Sequence, residues 1–453
     1  MQLFVIGAGY VGLTTAIGFA ELGHVVSVHD IDQERLAMLS EGRSPIFELG
    51  VDAALRRGLA DGLLRFTSAE LPSAETDIAI VCVPTPFDEA GLLSTTIVEA
   101  VVARLLAAMG PSRTIVVRST MPLHGPERLE ALAGDRGDRP SIVVNPEFLR
   151  EGRALADFAA PSRVVVGALA SRDRRAAQQF GDLYAPLGAQ LIVTDARSAA
   201  LVKLASNVFL GAKVAFADEL ARLCDATGAD VTVVADGVGL DPRIGRAFLD
   251  AGPGFGGSCL PEQAMSIAAE TSRRGMSAPF LSSIATSNAT HQEALVSQVG
   301  ELLPAGLDGA RVGLLGLAFK ANTDDVRRSP ALALAAGLRQ RGATVVGFDP
   351  VAAAAARAAD PALLTAASAI QAAAGADGLV VATEWPEFGS LDWSRLAATM
   401  RGDLVYDVRR IVDAAAVRAA GLRYVALGRA SSSADGDVPD PPGAPATASI
   451  AAA

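Results

Sequence analysis

The chain has 453 residues and a formal net charge of −11 at pH 7, and 50% of its residues are hydrophobic and 20% charged. At about 150 residues per domain, this length predicts two or three domains with buried cores and excludes a peptide or a disulfide-stabilised miniprotein. The acidic balance argues against a nucleic-acid partner, because a protein that holds phosphate backbones needs a basic face. Of the 39 basic residues only Lys203, Lys213 and Lys320 are lysines.

The cysteines and histidines bear on compartment and metal content. Cys82, Cys224 and Cys259 are an odd number at wide spacing, which is typical of a reducing compartment. No CxxC or HxxxH pattern occurs, so we expect no metal site. The first residues lack a basic region and a cleavage signal, and no uncharged apolar run approaches the roughly 18 residues of a membrane span. The sequence therefore predicts a cytoplasmic protein without a membrane partner.

The first 30 residues predict a strand–helix–strand unit. A short strand (3–6) precedes Gly7-Ala8-Gly9-Tyr10-Val11-Gly12, a helix runs to residue 22, and a second strand (24–29) ends at Asp30. A G-x-G-x-x-G turn between strand and helix, followed by an acid after the second strand, predicts a dinucleotide site. The alternative is a glycine turn that binds nothing.

Each position of this turn has an expected role. Gly7 permits the tight turn, Gly9 lets the backbone approach a pyrophosphate, and Gly12 lets the helix pack close to the strand. The helix N-terminus offers unpaired N–H groups to the phosphates. Asp30 is expected to accept a hydrogen bond from a ribose hydroxyl and to repel the 2′-phosphate of NADP, which favours NAD. The nearby Arg35 weakens that preference.

Further strands are predicted at 77–83, 114–118 and 141–145, and they alternate with helical stretches such as 95–109. Such alternation indicates a parallel, doubly wound sheet. The apolar spacing from 196 to 226 predicts a helix of about 30 residues, far above the average of about 11 or 12, which spans domains or forms a dimer core.

A second α/β alternation begins at 311–316, with strands near 343–348, 378–382, 404–408 and 424–426. We therefore predict an α/β fold with two doubly wound Rossmann-like domains, joined by a long central helix and a helical dimerisation region. The expected boundaries are 1–195 for the NAD-binding domain, 196–300 for the central helical region, 301–428 for the second Rossmann-like domain and 429–453 for a disordered tail.

The most glycine-rich motif of the chain is Gly252-Pro253-Gly254-Phe255-Gly256-Gly257-Ser258-Cys259. We call residues 252–257 the glycine loop. Four glycines in six positions suit a backbone that approaches a ligand, and a thiol next to them is presented rather than packed. Cys259 is therefore predicted to be a nucleophile. Cys82 and Cys224 lie in apolar periodic runs and are predicted to be structural.

Lys203 and Asn207 are four residues apart within the predicted long helix, so their side chains share one face. An ammonium and a carboxamide that converge on one point can stabilise a developing oxyanion. Taken alone, however, this spacing is more typical of a solvated helix face.

Together with VPTP at 83–86, ST at 119–120, NPEFLREG at 145–152, RIG at 243–245 and FKANTDDVR at 319–327, these motifs resemble the UDP-glucose/GDP-mannose dehydrogenase family from residue 1 to about 428. The cysteine loop and the FKANTDD segment are most similar to the UDP-glucose 6-dehydrogenases. The resemblance implies a four-electron oxidation of the C6 alcohol of a UDP-sugar to a carboxylate, with two NAD⁺ used in turn.

The resemblance also implies roles. Cys259 adds to the C6 aldehyde as a thiohemiacetal, which loses a hydride to give a thioester that water hydrolyses. Lys203 and Asn207 hold the C6 oxygen, and Lys203 is also a candidate for proton transfer. Glu151, with Thr120 nearby, positions or activates the water, and the residues leave open which group is the base.

Binding residues follow from the same resemblance. The cofactor side comprises Gly7, Gly9, Tyr10, Val11, Gly12, Asp30, Arg35, Thr85, Thr120, Glu151, Glu262 and Arg327. The substrate side comprises Glu147, Phe148, Leu149, Arg150, Glu151, Lys203, Asn207, Arg243, Phe248, Leu249, Gly252, Gly256 and Lys320. Arg243 is implied to reach the neighbouring site of a homodimer, and the second α/β domain to bind the nucleotide.

One departure bears on activity. The family continues C-x-P-K-D after the cysteine, whereas this chain has Cys259-Leu260-Pro261-Glu262-Gln263. Glu262 brings the wrong sign to a pyrophosphate, at a cost on the order of 1 kcal/mol. Gln263 can orient a water but cannot take its proton. Two alternatives therefore remain beside a UDP-glucose dehydrogenase: an enzyme for GDP-mannose or another nucleotide sugar, and a catalytically impaired paralogue that binds nucleotide sugar and NAD.

Overall fold

The computed structural model describes residues 1–88, 92–134 and 137–429, and these form two compact units. The first unit consists of Met1–Ser206 and Met265–Ser277, and the second of Asn207–Ala264 and the residues from Ala278 onward. The tail predicted from 429 lies outside the described residues except for Arg429, which forms an isolated β-bridge with Asp230.

The first unit is built on an eight-stranded sheet in the order β3-β2-β1-β4-β5-β6-β7-β8. Its strands are β1 (Gln2–Ile6), β2 (Val25–His29), β3 (Leu64–Thr67), β4 (Ile78–Val81), β5 (Thr114–Val117), β6 (Ser141–Val144), β7 (Val164–Ala168) and β8 (Leu191–Asp195). Its helices are α1 (Tyr10–Glu21), α2 (Gln33–Ser40), α3 (Val51–Ala60), α4 (Thr96–Ala108), α5 (Gly125–Ala133), α6 (Ala154–Ala159) and α7 (Arg174–Gly181).

The central strands are apolar and buried on both faces. Every residue of β4, whose sequence is IAIV, is buried, and β5 and β6 carry similar runs. Helices cover both faces of such a sheet, so its strands show continuous rather than alternating hydrophobicity. The predicted doubly wound arrangement is confirmed, with its first βαβ unit at β1, α1 and β2.

Two strands, β7 and β8, run opposite to the other six strands of this sheet. β7 pairs antiparallel with β6, with Val144 opposite Gly167, while the other pairs in this sheet are parallel. The segment between β6 and β7 does not form the long crossover helix that a parallel connection needs. Its short helix α6 instead packs Phe158 onto α1, where the ring lies 5.3 Å from that of Phe19. The sheet is otherwise parallel, as predicted, and the β6–β7 pair is its one antiparallel pairing among the described residues.

The long helix α8 (Ala196–Thr227) has 32 residues, in agreement with the predicted 196–226. It continues without a break from the first unit into the second between Ser206 and Asn207. By length and composition it could cross a membrane, with a mean hydropathy of 1.5 over 18 residues, of which 39% are buried. Core helices of soluble proteins meet the same criteria, so this is weak evidence of a membrane span.

The second unit carries a six-stranded sheet in the order β11-β10-β9-β12-β13-β14, with all recorded pairs parallel. Three helices precede it: α9 (Val231–Gly239), α10 (Cys259–Arg273), which ends in the first unit, and α11 (Pro279–Leu302). The strands and helices that follow are β9 (Arg311–Leu315), α12 (Pro330–Gln340), β10 (Thr344–Phe348), α13 (Ala353–Ala359), β11 (Leu364–Thr365), α14 (Ala369–Ala373), β12 (Gly378–Val381), α15 (Trp393–Ala397), β13 (Leu404–Asp407), α16 (Ala414–Ala419) and β14 (Arg423–Ala426). This arrangement is the predicted second Rossmann-like fold.

Candidate active site

The turn between β1 and α1 has the geometry of a diphosphate cradle. Gly7 has a φ of +98°, and a methyl group on it would lie 2.5 Å from the Cys82 carbonyl oxygen. A methyl group on Gly12 would lie 1.8 Å from the Gly7 carbonyl oxygen, whereas one on Gly9 would meet no atom within 4 Å. The protein's own packing thus requires the outer two glycines, and the middle one faces open space at a helix N-terminus.

Asp30 is built into this turn. Its carboxylate accepts hydrogen bonds from the N–H groups of Ala8 at 2.6 Å and Asp32 at 2.9 Å. Burial alone would raise the pKa of Asp30, but these hydrogen bonds and the nearby charge of Arg35 outweigh it and lower the pKa. Arg35 lies 3.2 Å from Asp30 and 3.7 Å from Asp32, so two carboxylates balance one guanidinium. This local negative charge opposes a 2′-phosphate and suits NAD, which the presence of Arg35 alone had left less certain.

Several predicted site residues follow the carboxyl ends of neighbouring parallel strands. Thr85 follows β4, Thr120 follows β5, and Glu147 and Glu151 follow β6. Parallel strands end at one edge of their sheet, and open α/β sheets bind ligands at that edge. Because β1, β4, β5 and β6 are adjacent, these residues share the edge that carries the glycine turn.

Lys203 is held in a buried ion pair. Its Nζ lies 2.8 Å from Glu147 Oε1, and the two side chains are only 4% and 8% exposed. The second carboxylate oxygen of Glu147 accepts the Leu149 N–H at 2.7 Å. Burial would raise the pKa of Glu147, but the charge and hydrogen bond of Lys203 outweigh it and lower the pKa. Asn207, also mostly buried, lies one turn further along α8, as predicted.

The segment that carries Glu151 is held by two side chains, Tyr10 within the cofactor turn and Glu48 further along the chain. The Tyr10 hydroxyl donates to Glu48, and Glu48 accepts the N–H groups of Gly152 and Ala154, each at 2.7 Å. The Gly152 N–H also lies 2.8 Å from the Tyr10 hydroxyl oxygen. Glu48 was not predicted, because the two backbone N–H groups that it binds lie about a hundred residues away in sequence. The Tyr10 side chain therefore orders the Glu151 segment.

The remaining members of the predicted substrate segment point to internal partners. The Arg150 guanidinium makes a two-point ion pair with Asp157, at 3.0 and 2.7 Å, and Leu149 packs against the core of the first unit. The Phe148 ring lies 3.9 Å from the guanidinium carbon of Arg163. These side chains stabilise the segment itself.

In the second unit, α10 begins at Cys259. The partial positive charge of a helix N-terminus favours a thiolate there. The glycine loop before it is buried, and Gly257 donates its N–H to the Arg327 carbonyl at 3.0 Å. A methyl group on Gly256 would lie 2.6 Å from the Arg328 carbonyl oxygen. By contrast, burial raises the pKa of the Cys82 thiol to about 12, which fits its predicted structural role.

The first turn of α10 also carries the two unusual residues. Glu262 is half-buried, and burial raises its pKa although the charges of Arg328 and Arg327 oppose the rise. The backbone of Arg328 is left-handed, with a φ of +47°. The sequence placed Arg327 on the cofactor side but did not indicate that Arg327 and Arg328 both lie near Glu262, where their charges partly compensate the acid. Gln263 is buried, and its Oε1 has no hydrogen-bond partner among the described residues.

Other predicted substrate residues also lie in the second unit. Phe248 has a left-handed backbone with a φ of +64°, and Leu249 is buried. The Arg243 side chain is 86% exposed and pairs with Asp241 at 2.6 Å. Lys320 Nζ lies 5.4 Å from the centre of the Phe319 ring. Within 1–88, 92–134 and 137–429, no group of three or more His, Cys, Asp or Glu side chains is arranged to hold a metal ion.

Comparison with known proteins gives three family-domain matches. Residues 1–188 match the NAD binding domain of the UDP-glucose/GDP-mannose dehydrogenase family, 197–290 its central domain and 313–414 its UDP binding domain. The chain is 37% identical over 436 residues to a UDP-glucose 6-dehydrogenase of Rhizobium meliloti (strain 1021), covering 95% of this chain and 100% of that protein.

Two solved structures are also similar. A UDP-glucose dehydrogenase from Pyrobaculum islandicum superposes with a TM-score of 0.86 at 38% identity, covering 95% of this chain and 98% of that one. A UDP-D-ManNAc dehydrogenase from Pyrococcus horikoshii superposes with a TM-score of 0.82 at 27% identity, covering 95% and 99%. The predicted resemblance and the NAD-binding domain are therefore confirmed.

Proposed function

This chain belongs to the UDP-glucose/GDP-mannose dehydrogenase family, and from that premise we propose that it oxidises UDP-glucose to UDP-glucuronate in two NAD-dependent steps. The 37% identity to a UDP-glucose 6-dehydrogenase supports this substrate. The observation that carries the proposal is Cys259 at the start of α10, behind a buried glycine loop, in a chain that also has an NAD-binding turn. An alcohol dehydrogenase that stops at the aldehyde has no use for such a thiol.

In the proposed reaction, the Cys259 thiolate adds to the C6 aldehyde and forms a C–S bond in a thiohemiacetal. Loss of a hydride from that carbon leaves a thioester, and water then breaks the C–S bond to give the carboxylate and the free thiol. NAD⁺, when bound, supplies the hydride acceptor for both oxidations. The Gly7–Gly12 turn and Asp30 would hold it.

Lys203 and Asn207 are proposed to hold the C6 oxygen. The ion pair with Glu147 holds the Lys203 side chain in one place, which is what stabilising a developing oxyanion requires. Glu151, on the segment that Tyr10 and Glu48 fasten, and Thr120 remain the candidates to position the hydrolytic water. Gln263 can only orient that water, since an amide takes no proton at neutral pH.

We also propose three functional regions, 1–195 for NAD, 196–300 for the cysteine loop and dimerisation, and 301–428 for the nucleotide of the substrate, in a cytoplasmic homodimer. Phe209, Phe216 and Leu223 recur every seven residues on α8 and are 63%, 50% and 57% exposed, which favours a helix partner. The exposed Arg243 would then reach the neighbouring site.

The test is an assay of the purified protein with NAD⁺ and a panel of UDP-glucose, GDP-mannose and UDP-ManNAc, with NADH and product measured together. We expect two NADH per carboxylate formed from UDP-glucose. The same stoichiometry from another nucleotide sugar alone would contradict UDP-glucose as the substrate but would still support the two-step oxidation. Binding of NAD⁺ and UDP-glucose without turnover would contradict catalysis and favour the impaired paralogue.

A second prediction concerns Glu262. We expect Glu262→Lys alone to lower kcat/KM about two- to fivefold, because it places a third cation beside Arg327 and Arg328. The double variant Glu262→Lys/Arg328→Glu should recover most of the loss, since it restores one acid among the cations. Steady-state kinetics and thermal unfolding measure both effects.

The exposed pair Glu41 and Arg43 provides the matched control, and its reversal should change nothing. A gain in turnover from Glu262→Lys alone would contradict the idea that the two arginines compensate the acid.

A further inference from the structure

The backbone of the glycine loop is held by three buried side chains that no motif pointed to. Asp218, on α8, and Asn288 and His291, on α11, are 0%, 8% and 0% exposed. Two of them bind the first residue of the loop: Asp218 accepts the Gly252 N–H at 2.8 Å, and His291 Nε2 lies 2.7 Å from the Gly252 carbonyl oxygen. Both polar groups of one peptide position are thus taken by side chains.

Asn288 binds the middle of the loop in the same two-sided way. Its Oδ1 accepts the Phe255 N–H at 2.8 Å, and its Nδ2 donates to the Phe255 carbonyl at 3.1 Å. Gly254, with a φ of +100°, permits this approach, because a methyl group there would lie 2.6 Å from Asn288 Oδ1. Four hydrogen bonds therefore fix the backbone at both ends of a four-residue stretch.

The proton positions in this cluster follow from its partners. Since a carbonyl only accepts, His291 Nε2 carries the hydrogen that reaches Gly252. Nδ1 then accepts from Arg222 Nη1 at 2.7 Å, so the ring is neutral. Burial, with the charge of Arg222, lowers the pKa of His291 to about 4, although its hydrogen bond to Gly252 and the charge of Glu219 oppose this. Asp218 Oδ1 lies 3.9 Å from Nε2.

Asp218 is the unusual residue of this cluster. Burial raises its pKa to about 8, although the hydrogen bond from the Gly252 N–H and the charges of Arg409 and Arg222 oppose the rise. Its Oδ2 has no hydrogen-bond partner within the described ranges. Between about pH 4 and pH 8, the folded protein therefore keeps a proton on Asp218 that the unfolded chain has already released. Stability from this group is full below about pH 4 and is lost as the pH rises through about 8.

We propose that Asp218, Asn288 and His291 are positioning residues that fix the glycine loop and thereby set the orientation and reactivity of Cys259. They do not touch the reacting atoms. Their effect passes along the backbone from Gly252 and Phe255 to the start of α10, where the thiol lies two residues beyond Gly257. The inference depends on the nucleophilic role of Cys259 in the proposed function.

The experiment compares Asn288→Ala and His291→Ala with Gln298→Ala. Gln298 is the matched control, because it lies on the same helix and binds Tyr406 and Asp225 but no atom of the loop. Three quantities are measured for each variant: the melting temperature, kcat and KM separately, and the rate at which iodoacetamide alkylates Cys259 as a function of pH, read by peptide mass spectrometry.

We expect all three variants to have a lower melting temperature than the wild type. Only Asn288→Ala and His291→Ala should lower kcat, by at least tenfold with NAD⁺ affinity unchanged, and move the alkylation profile to higher pH. His291→Gln can still donate to Gly252 and should retain at least a third of the wild-type kcat. Asp218→Asn keeps an oxygen that accepts the Gly252 N–H and should therefore retain kcat. At pH 8.5 its melting temperature should be higher than that of the wild type.

Equal kcat and alkylation profiles in the loop variants and Gln298→Ala would overturn the inference, as would loss of kcat in His291→Gln equal to that in His291→Ala. The alkylation readout needs no substrate. If the protein turns over no nucleotide sugar but the alkylation profiles separate as expected, the inference stands and the proposed function fails.

Discussion

Cys259→Ser is expected to abolish carboxylate formation while leaving NAD⁺ binding unchanged. A serine hydroxyl is a much weaker nucleophile than a thiolate at neutral pH, so the adduct that permits the second oxidation does not form. The cofactor turn lies in the other unit, so the substitution does not alter it directly. The measurements are product analysis by mass spectrometry, NADH yield and the Kd for NAD⁺ from fluorescence titration.

Cys224→Ala supplies the control for this change. Cys224 is a buried thiol on α8, and its loss should cost some stability but no activity. Unchanged uronate output from Cys259→Ser would exclude the thioester route. A Cys224→Ala variant without activity would show instead that the chain is sensitive to any thiol replacement.

The second large effect is expected at Lys203. We predict that Lys203→Met lowers kcat by about 10²- to 10³-fold, the usual loss when one group that stabilises an oxyanion is removed. It should also destabilise the protein by about 3 to 5 kcal/mol, because it leaves Glu147 buried without its cation. Thermal unfolding and steady-state kinetics measure the two losses separately.

The double variant Lys203→Met/Glu147→Gln separates catalysis from stability. Removing the buried charge together with its partner should return most of the lost stability, since a neutral amide tolerates burial far better than a carboxylate. It should not return kcat. Recovery of kcat in the double variant would assign Lys203 to the fold rather than to the reaction.

Local patterns predicted the parts of the fold and site that depend on neighbours in sequence. The Gly7–Gly12 turn, Asp30 at the end of β2 and the length of α8 follow from strand and helix periodicity, and the structure has them where expected. The direction of β7 and β8 did not follow, because it is set by the connection between β6 and β7 and not by the residues of the strands themselves. Periodicity reports burial of a strand but not its polarity.

The side chains that hold the backbone of the site could not be predicted from the sequence for a related reason. Glu48, Asp218, Asn288 and His291 act on backbone groups that lie 33 to 106 residues away, and no motif spans such distances. An acid within the apolar helix α8 was a signal in principle, since a carboxyl at a buried position needs a partner. The partner, a backbone N–H of a loop, has no sequence signature.

Because α8 is continuous, it fixes the distance along the helix between Lys203 and Asn207. Lys203 and Asn207 lie on either side of the boundary between the units, yet they are joined by one turn of unbroken helix. Four residues of α-helix rise by about 6 Å, and no loop enters that interval. Helical geometry therefore fixes the spacing of the two backbone positions that carry the ammonium and the amide. Insertions and deletions elsewhere in the chain leave it unchanged, and only a break between these two residues would alter it.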